Sequence, residues 1–166
     1  MPDLAAFVPR ATTVVRRAAA GGLMISTAES CTGGLLAGLL TAVPGSSAVV
    51  DRGFVTYSNE AKAEMLAVDL ATLERCGAVS SEVAAEMARG ALMRSRADLS
   101  ISITGIAGPG GGSADKPVGL VHFGLARRPN DVVTVERRFG DLGRDAVRMA
   151  SVDQALRMLE EALGLV

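Results

Sequence analysis

Two glycine-rich loops, each following a short apolar run, constrain the fold of this chain more than any other feature. The first run covers residues 23–27 and leads into a turn that ends at Gly33 and Gly34; the second covers residues 99–104 and leads into a loop at 105–112. Glycine accounts for 19 of the 166 residues, about 11% against the usual ~7%. Because glycine lets the backbone turn sharply where a strand ends, this pattern predicts strands that open into glycine loops.

The rest of the chain alternates helical and strand-like patterns. Helical spacing covers residues 4–20, 35–43, 59–66, about 81–96 and 145–163, and strand patterns cover 48–57, 118–126 and 132–139. We expect Ser58 or Asn59 to cap the third helix, Ser80 to cap the fourth, and residues 129–131 to form a hairpin turn. Helices between early strands and a late hairpin indicate a single α/β domain over residues 1–166, a three-layer α/β/α sandwich with a mixed, mostly parallel sheet.

Charge and aromatic content argue against a nucleic-acid binder. The chain has 17 Lys and Arg against 18 Asp and Glu, no Trp, one Tyr and four Phe, so it lacks both a basic field and stacking platforms. No apolar run reaches the ~18 residues that a membrane span needs, and no basic segment leads into an apolar signal core. We therefore expect a cytoplasmic protein that contacts neither nucleic acid nor membrane.

The small number of histidines and cysteines limits the metal chemistry. One His and two Cys cannot supply the four ligands of a structural zinc site or a three-histidine catalytic site. Without a signal peptide, the two cysteines are expected to be reduced thiols. The sequence predicts neither a metal nor a cofactor.

Ser30 is a candidate nucleophile because it stands where a strand gives way to a helix, beside free N–H groups at the helix N-terminus. The alternative is that Ser30 or Thr32 merely caps that helix. Cys31 competes as nucleophile, because a helix N-terminus lowers the pKa of a thiol. A cysteine hydrolase normally needs a histidine partner, and His122 lies in the middle of an apolar strand, where a structural role is expected.

A serine without a histidine partner directs attention to the two lysines, Lys62 and Lys116. Lys62 is either a surface residue of a short helix or a buried general base, with the hydroxyl of Tyr57 relaying or positioning a proton. Lys116 either faces solvent or closes over a ligand.

The loop at 105–112 can bring backbone N–H groups close to an anionic oxygen, as a phosphate cradle or an oxyanion hole. It lacks the Gly-Lys-Ser/Thr ending of a Walker A loop and does not fit the dinucleotide fingerprint. Arginine side chains near the start of the last helix either bind a phosphate or are solvated or paired with neighbours such as Asp141 and Asp145; they are Arg137, Arg138, Arg144 and Arg148.

Five ordered motifs together resemble the competence/damage-inducible CinA C-terminal family. They are TAESCTGG at 27–34, GFVTYSNEAK at 53–62, GAVS at 77–80, TGIAGPGG at 104–111 and KPVG at 116–119. Members of that family are nicotinamide mononucleotide deamidases, so the resemblance implies metal-independent hydrolysis of this nucleotide to nicotinic acid mononucleotide and ammonia by a serine/lysine mechanism. It also implies the stand-alone amidase form, and we expect a homo-oligomer.

The resemblance implies roles for individual residues. Ser30 would be the nucleophile, Lys62 the base and Tyr57 the assisting hydroxyl. The substrate-binding residues would be Thr32, Gly33, Thr104, Gly105, Gly108, Gly110 and Arg144. The Gly-Asp-Arg run that commonly precedes the last helix in the family is two residues longer here. A second hypothesis is a nucleotide-binding regulatory module that has kept the fold and lost turnover.

Overall fold

The computed structural model describes residues 3–129 and 131–166. The strands are β1 (Ile25–Glu29), β2 (Val50–Val55), β3 (Leu99–Gly105), β4 (Leu120–Arg127) and β5 (Asp131–Arg138). The helices are α1 (Val8–Ala20), α2 (Leu35–Thr41), α3 (Asn59–Leu66), α4 (Leu70–Cys76), α5 (Ser81–Met93) and α6 (Arg144–Ala162), with short 3-10 helices at Ala5–Phe7 and Ser46–Ala48. Within this part of the chain, no helix is both long and apolar enough to cross a membrane.

The strands form one sheet in the order β2-β1-β3-β4-β5. β1 pairs in parallel with β2 and β3, whereas β4 pairs antiparallel with β3 and β5. Among the described strands, β4 alone therefore runs against the other four. The predicted mixed sheet and late hairpin are confirmed; Asn130, in the predicted hairpin turn, lies outside the described residues.

Helices cover both faces of the sheet, which confirms the predicted three-layer α/β/α sandwich. Apolar side chains of α1, α2 and α6 pack with strand residues such as Ile101 and Phe123 on one face. On the other face, Leu66 of α3, Leu73 of α4 and Met87 of α5 pack around Ala28 of β1. Both layers are positioned by apolar burial, the main favourable contribution to folding.

Hydroxyl groups hold α5 against the sheet. Ser100 and Ser102 on the half-polar face of β3 donate to the carbonyls of Ala88 and Ala84, both at 2.6 Å. A Cβ at Gly124 of β4 would lie 2.4 Å from the carbonyl oxygen of Ala84, so glycine is required for this close approach. The alternation of apolar and hydroxyl residues in β3 thus reflects one apolar face and one face bonded to a helix backbone.

The main differences from the sequence prediction concern β1 and α4. β1 extends to Glu29, which pairs with Val55 and Ile103 on its two sides, because neighbouring strands extend the ladder beyond the apolar run. Helix α4 was not predicted, although Asp69 caps it by accepting from the N–H of Ala71.

Candidate active site

A cavity of about 280 Å³ lies where β1, β2 and β3 end, at the carboxyl edge of the parallel strands. Ligands of open α/β sheets bind at this edge. Eight residues predicted from the sequence line it together: Ser30, Tyr57, Lys62, Thr104, Gly105, Gly108, Gly110 and Arg144.

Ser30 and Lys62 are in direct contact. The Lys62 Nζ lies 3.2 Å from Ser30 Oγ and donates to the carbonyl oxygen of Thr56 at 2.8 Å. Lys62 belongs to α3, which begins after Ser58; the Ser58 hydroxyl accepts from the N–H of Ala61 at 3.0 Å. The cap fixes the first turn of α3 and so directs the Lys62 side chain at the serine.

Lys62 is 1% exposed, so the surface-lysine alternative is wrong. Burial lowers the pKa of its ammonium group, because desolvation disfavours the charged form. Within residues 3–129 and 131–166, no carboxylate forms an ion pair with it. A neutral amine at this place can donate to Thr56 while its lone pair accepts the proton of Ser30 Oγ.

Cys31 does not have the environment of a nucleophile. It is buried, and desolvation raises the pKa of its thiol to about 11. The expectation that the helix N-terminus lowers this pKa is therefore wrong. As expected, Cys31 has no histidine partner in His122. That residue lies in β4 outside the cavity lining, with Nε2 3.8 Å from Glu136 Oε2.

Tyr57 and Arg144 are joined at the cavity. Arg144, the first residue of α6, donates from Nη2 to the Tyr57 hydroxyl at 2.9 Å and from Nη1 to the carbonyl of Gly108 at 3.0 Å. The longer spacing before α6 therefore still brings Arg144 into the site. Among the described contacts, the Tyr57 hydroxyl bonds to neither Ser30 nor Lys62.

The glycines of the second loop are needed for different structural reasons. A Cβ at Gly105 would lie 2.6 Å from Val121, and one at Gly108, where φ is +79°, would lie 2.7 Å from Val118. Gly110 has open space around its Cβ position. Close packing against β4 and the segment before it thus demands glycine at two positions, while Gly110 leaves room in the cavity.

The cavity wall at residues 76–80 is held by two side chains. Thr104 Oγ1 donates to the carbonyl of Ala78 at 2.8 Å, and Lys116 Nζ donates to the carbonyls of Cys76 at 2.5 Å and Val79 at 2.8 Å. The alternative that Lys116 faces solvent freely is therefore wrong, and the alternative that it closes over a ligand stays a prediction.

Thr32 and Gly33 lie outside the lining of the cavity. Thr32 is fully buried, and its carbonyl accepts from Arg148 Nη2 at 3.0 Å. A Cβ at Gly33 would approach the same Arg148 atom at 3.7 Å. The turn after Ser30 therefore faces α6, whereas the predicted substrate-binding residues that follow β3 face the cavity.

The lining carries positive charge. Its basic side chains, among the residues that the structure describes, are Lys62 and Arg144; the lining contains no carboxylate, and Arg144 keeps its charge when Lys62 is neutral. Nor does any group of three or more His, Cys, Asp or Glu within the described ranges offer a metal site. The lining residues Ile106, Ala107 and Gly111 belong to the predicted 105–112 loop, whereas sequence reasoning missed Asn59, Ala78 and Val79. Each of these three lies inside a resembling motif, which was the available signal.

Fold and site together define an α/β/α sandwich that brings a serine and a buried lysine into contact beside a glycine-rich loop. A family model described as CinA C-terminal domain matches residues 8–163. The chain belongs to this family, and the resemblance seen in the five motifs is confirmed.

Curated relatives fall into two lengths. The chain is 53% identical over 141 residues to the nicotinamide-nucleotide amidohydrolase PncC of Escherichia coli, covering 84% of each chain. It is 59% identical over 119 residues to a CinA-like protein of Chlorobium limicola, covering 72% of this chain but 28% of that protein. The chain thus spans most of the first relative and about a quarter of the second.

Solved structures agree with the fold. The competence/damage inducible protein CihA from Agrobacterium tumefaciens has a TM-score of 0.87 and 56% identity, covering 93% of this chain and 96% of that one. A CinA superfamily protein from Escherichia coli has a TM-score of 0.89 and 38% identity, covering 98% and 93%. The arrangement of the sheet and its two helical layers is therefore that of CinA proteins.

Proposed function

We propose that this protein hydrolyses the carboxamide of nicotinamide mononucleotide to nicotinic acid mononucleotide and ammonia. The observation that carries the proposal is the 3.2 Å contact between Ser30 Oγ and the buried Lys62 Nζ. The relatives named nicotinamide-nucleotide amidohydrolase support the substrate. A positively charged lining suits a phosphate-bearing substrate, because a cavity lined by one sign of charge raises the local concentration of ligands with the opposite charge.

In the acylation step, neutral Lys62 accepts the proton of Ser30 while Oγ attacks the carboxamide carbon. The oxygen of that group becomes an oxyanion, which backbone N–H groups of the 105–112 loop can stabilise. The Lys62 ammonium then gives its proton to the departing nitrogen, so ammonia leaves and an ester remains on Ser30. Water, activated by the neutral amine, cleaves this ester and restores the serine.

The remaining roles concern substrate binding. In this proposal Arg144, which lines the cavity, binds the phosphate, and Thr104, Gly105, Gly108 and Gly110 form the walls of the cavity. Binding energy from a phosphate remote from the amide can hold the amide against the nucleophile. The Tyr57 hydroxyl accepts from Arg144 and keeps its own proton to donate, which suits the assisting role proposed for it.

Other expectations stay predictions. They are a cytoplasmic location, a homo-oligomer, the absence of nucleic-acid partners and a single domain over the whole chain. Substrate-binding roles for Thr32 and Gly33 also stay predictions. Both residues lie outside the cavity lining, which argues against a direct contact with substrate.

The test is to mix the purified protein with nicotinamide mononucleotide and measure ammonia and nicotinic acid mononucleotide together. Equal amounts of the two products, formed catalytically, are the expected result. Lys62→Arg serves as the matched control, because it keeps a cation and removes the base. Saturable binding of the nucleotide without release of ammonia would instead indicate the silent regulatory module.

A further inference from the structure

The turn that carries Ser30 is held by a buried carboxylate. Glu29 is fully buried, and its two oxygens accept from the N–H groups of Gly34, Leu36 and Ala37 at 2.9–3.1 Å. The N–H groups at a helix N-terminus stabilise a carboxylate that accepts from them. The residue directly before the nucleophile is thereby tied to the start of α2.

This contact also changes where an anion can bind. The free N–H groups of a helix N-terminus form a ready anion site, and the sequence suggested such a site beside Ser30. Here Glu29 already occupies those groups of α2. A substrate phosphate would meet a buried negative charge there, so the N-terminus of α2 stabilises the turn and does not bind the ligand.

Arg148 holds the other side of the same turn. Its Nε donates to the carbonyl of Cys31 at 3.2 Å and its Nη2 to the carbonyl of Thr32 at 3.0 Å. The side chain is 16% exposed and Nη1 lies 3.6 Å from Asp145. The sequence suggested Arg148 as a phosphate ligand, but it lies outside the cavity lining and its donors are directed at the protein backbone.

We propose that Arg148 is a positioning residue, which, together with Glu29, sets the orientation of Ser30 toward Lys62; this inference rests on the proposed function. The two carbonyls belong to the peptide groups on either side of Thr32. They lie in the turn that the Ser30 carbonyl closes by accepting from the N–H of Gly33 at 3.0 Å, so a shift of this turn moves the serine Oγ. The distance from Oγ to Nζ is 3.2 Å, at the long end for a hydrogen bond. A further displacement of about 1 Å would break it, and such a misplacement costs about 10²-fold in rate.

The test compares Arg148→Met and Arg148→Lys with wild type in the full chain. We expect Arg148→Met to lower kcat for nicotinamide mononucleotide about 10²-fold while KM changes by less than about threefold, as for a contact that acts on geometry alone. Arg148→Lys should recover part of the loss, because its ammonium can still donate to one of the two carbonyls. Arg157→Met is the matched control, since Arg157 lies on the same helix, is exposed and should leave kcat unchanged.

A second readout does not depend on the natural substrate. Ser30 Oγ displaces fluoride from an alkyl fluorophosphonate, forming an Oγ–P bond while its proton passes to Lys62. Labelling should slow in Arg148→Met by about the same factor as kcat, with no change in the pH midpoint of the rate profile. If wild type is labelled at Ser30 but releases no ammonia, the proposed substrate fails while the positioning role is still measured by labelling.

Three results would overturn the inference. An increase of KM at unchanged kcat would make Arg148 a substrate ligand. Unchanged labelling in folded Arg148→Met would show that the turn keeps its geometry without the guanidinium. A shifted pH midpoint would mean that Arg148 acts through the charge of Lys62 and not through the position of Ser30.

Discussion

The packing of α3 against α5 makes a sharp prediction for Gly90→Ala. Gly90 is buried inside α5, and a Cβ at that position would lie 1.9 Å from the carbonyl oxygen of Leu66, the last residue of α3. Ordinary contact begins at 3.4 Å, so the two helices would have to separate by about 1.5 Å. Lys62 lies one turn before Leu66, and the same displacement would carry it away from Ser30.

The magnitude follows from two opposing effects. Alanine in place of glycine favours a helix interior by about 0.8–1.0 kcal/mol, while overpacking a well-packed core typically costs about 1–3 kcal/mol and occasionally more. Because backbone is the obstacle, we place the overpacking cost at the upper end and expect a net loss of about 2 kcal/mol. For a chain of this size that loss lowers Tm by roughly 4–8 °C.

Gly38→Ala is the matched control, because Gly38 lies inside α2 and none of the described neighbours comes within 4 Å of its Cβ position. This change should raise the free energy of unfolding by up to about 1 kcal/mol. Urea unfolding followed by far-UV circular dichroism measures both variants, and ammonia release should be reduced in Gly90→Ala alone. A Gly90→Ala protein as stable and active as Gly38→Ala would refute the close contact of α3 and α5.

Three further predictions concern the site. Lys62→Arg should release ammonia as slowly as Lys62→Ala, because a guanidinium cannot lose its proton usefully. In wild type, a pH–rate profile should show kcat/KM rising with pH, because only the neutral amine of Lys62 accepts a proton. The midpoint should lie below the ordinary lysine pKa of about 10.4, since burial lowers the pKa of Lys62. Arg144→Ala should reduce kcat/KM strongly for nicotinamide mononucleotide and little for nicotinamide riboside, which lacks the phosphate.

Each of these has a contrary outcome. Near wild-type activity in Lys62→Arg would assign the lysine an electrostatic role. A rate that falls steadily as pH rises would require the protonated ammonium. Equal losses for nucleotide and riboside in Arg144→Ala would mean that Arg144 holds Tyr57 and Gly108 in place without contacting the phosphate.

The parts of the fold that follow from local patterns were predictable. Helix α3 begins after Ser58 as its capping sequence indicates, and β4 and β5 form the expected hairpin. Helix α4 was missed because its buried residues, Thr72 and Leu73, are adjacent and show no helical spacing. The extension of β1 to Glu29 depends on strands that are distant in sequence, which no local pattern contains.

The site was predictable where residue type limits the chemistry and where motifs resemble a known family. A serine without a histidine partner directed attention to the two lysines, the resemblance implied that Lys62 is the base, and the structure brings Ser30 and Lys62 together. The backbone contacts of Lys116 and Arg148 were not predictable, because the acceptors of both are carbonyl groups. Any residue offers a carbonyl, so the sequence carries no mark of such a partner.

The most direct test of the serine/lysine account is the comparison of Ser30→Ala with Cys31→Ala in the release of ammonia from nicotinamide mononucleotide. The two residues are adjacent and both line the cavity, so the comparison of the two variants shows whether the hydroxyl or the buried thiol is the nucleophile. We expect Ser30→Ala to lower kcat by about 10³-fold or more, the scale of losing a nucleophile, and Cys31→Ala to keep most of the activity. An active Ser30→Ala protein beside an inactive but folded Cys31→Ala protein would contradict the account.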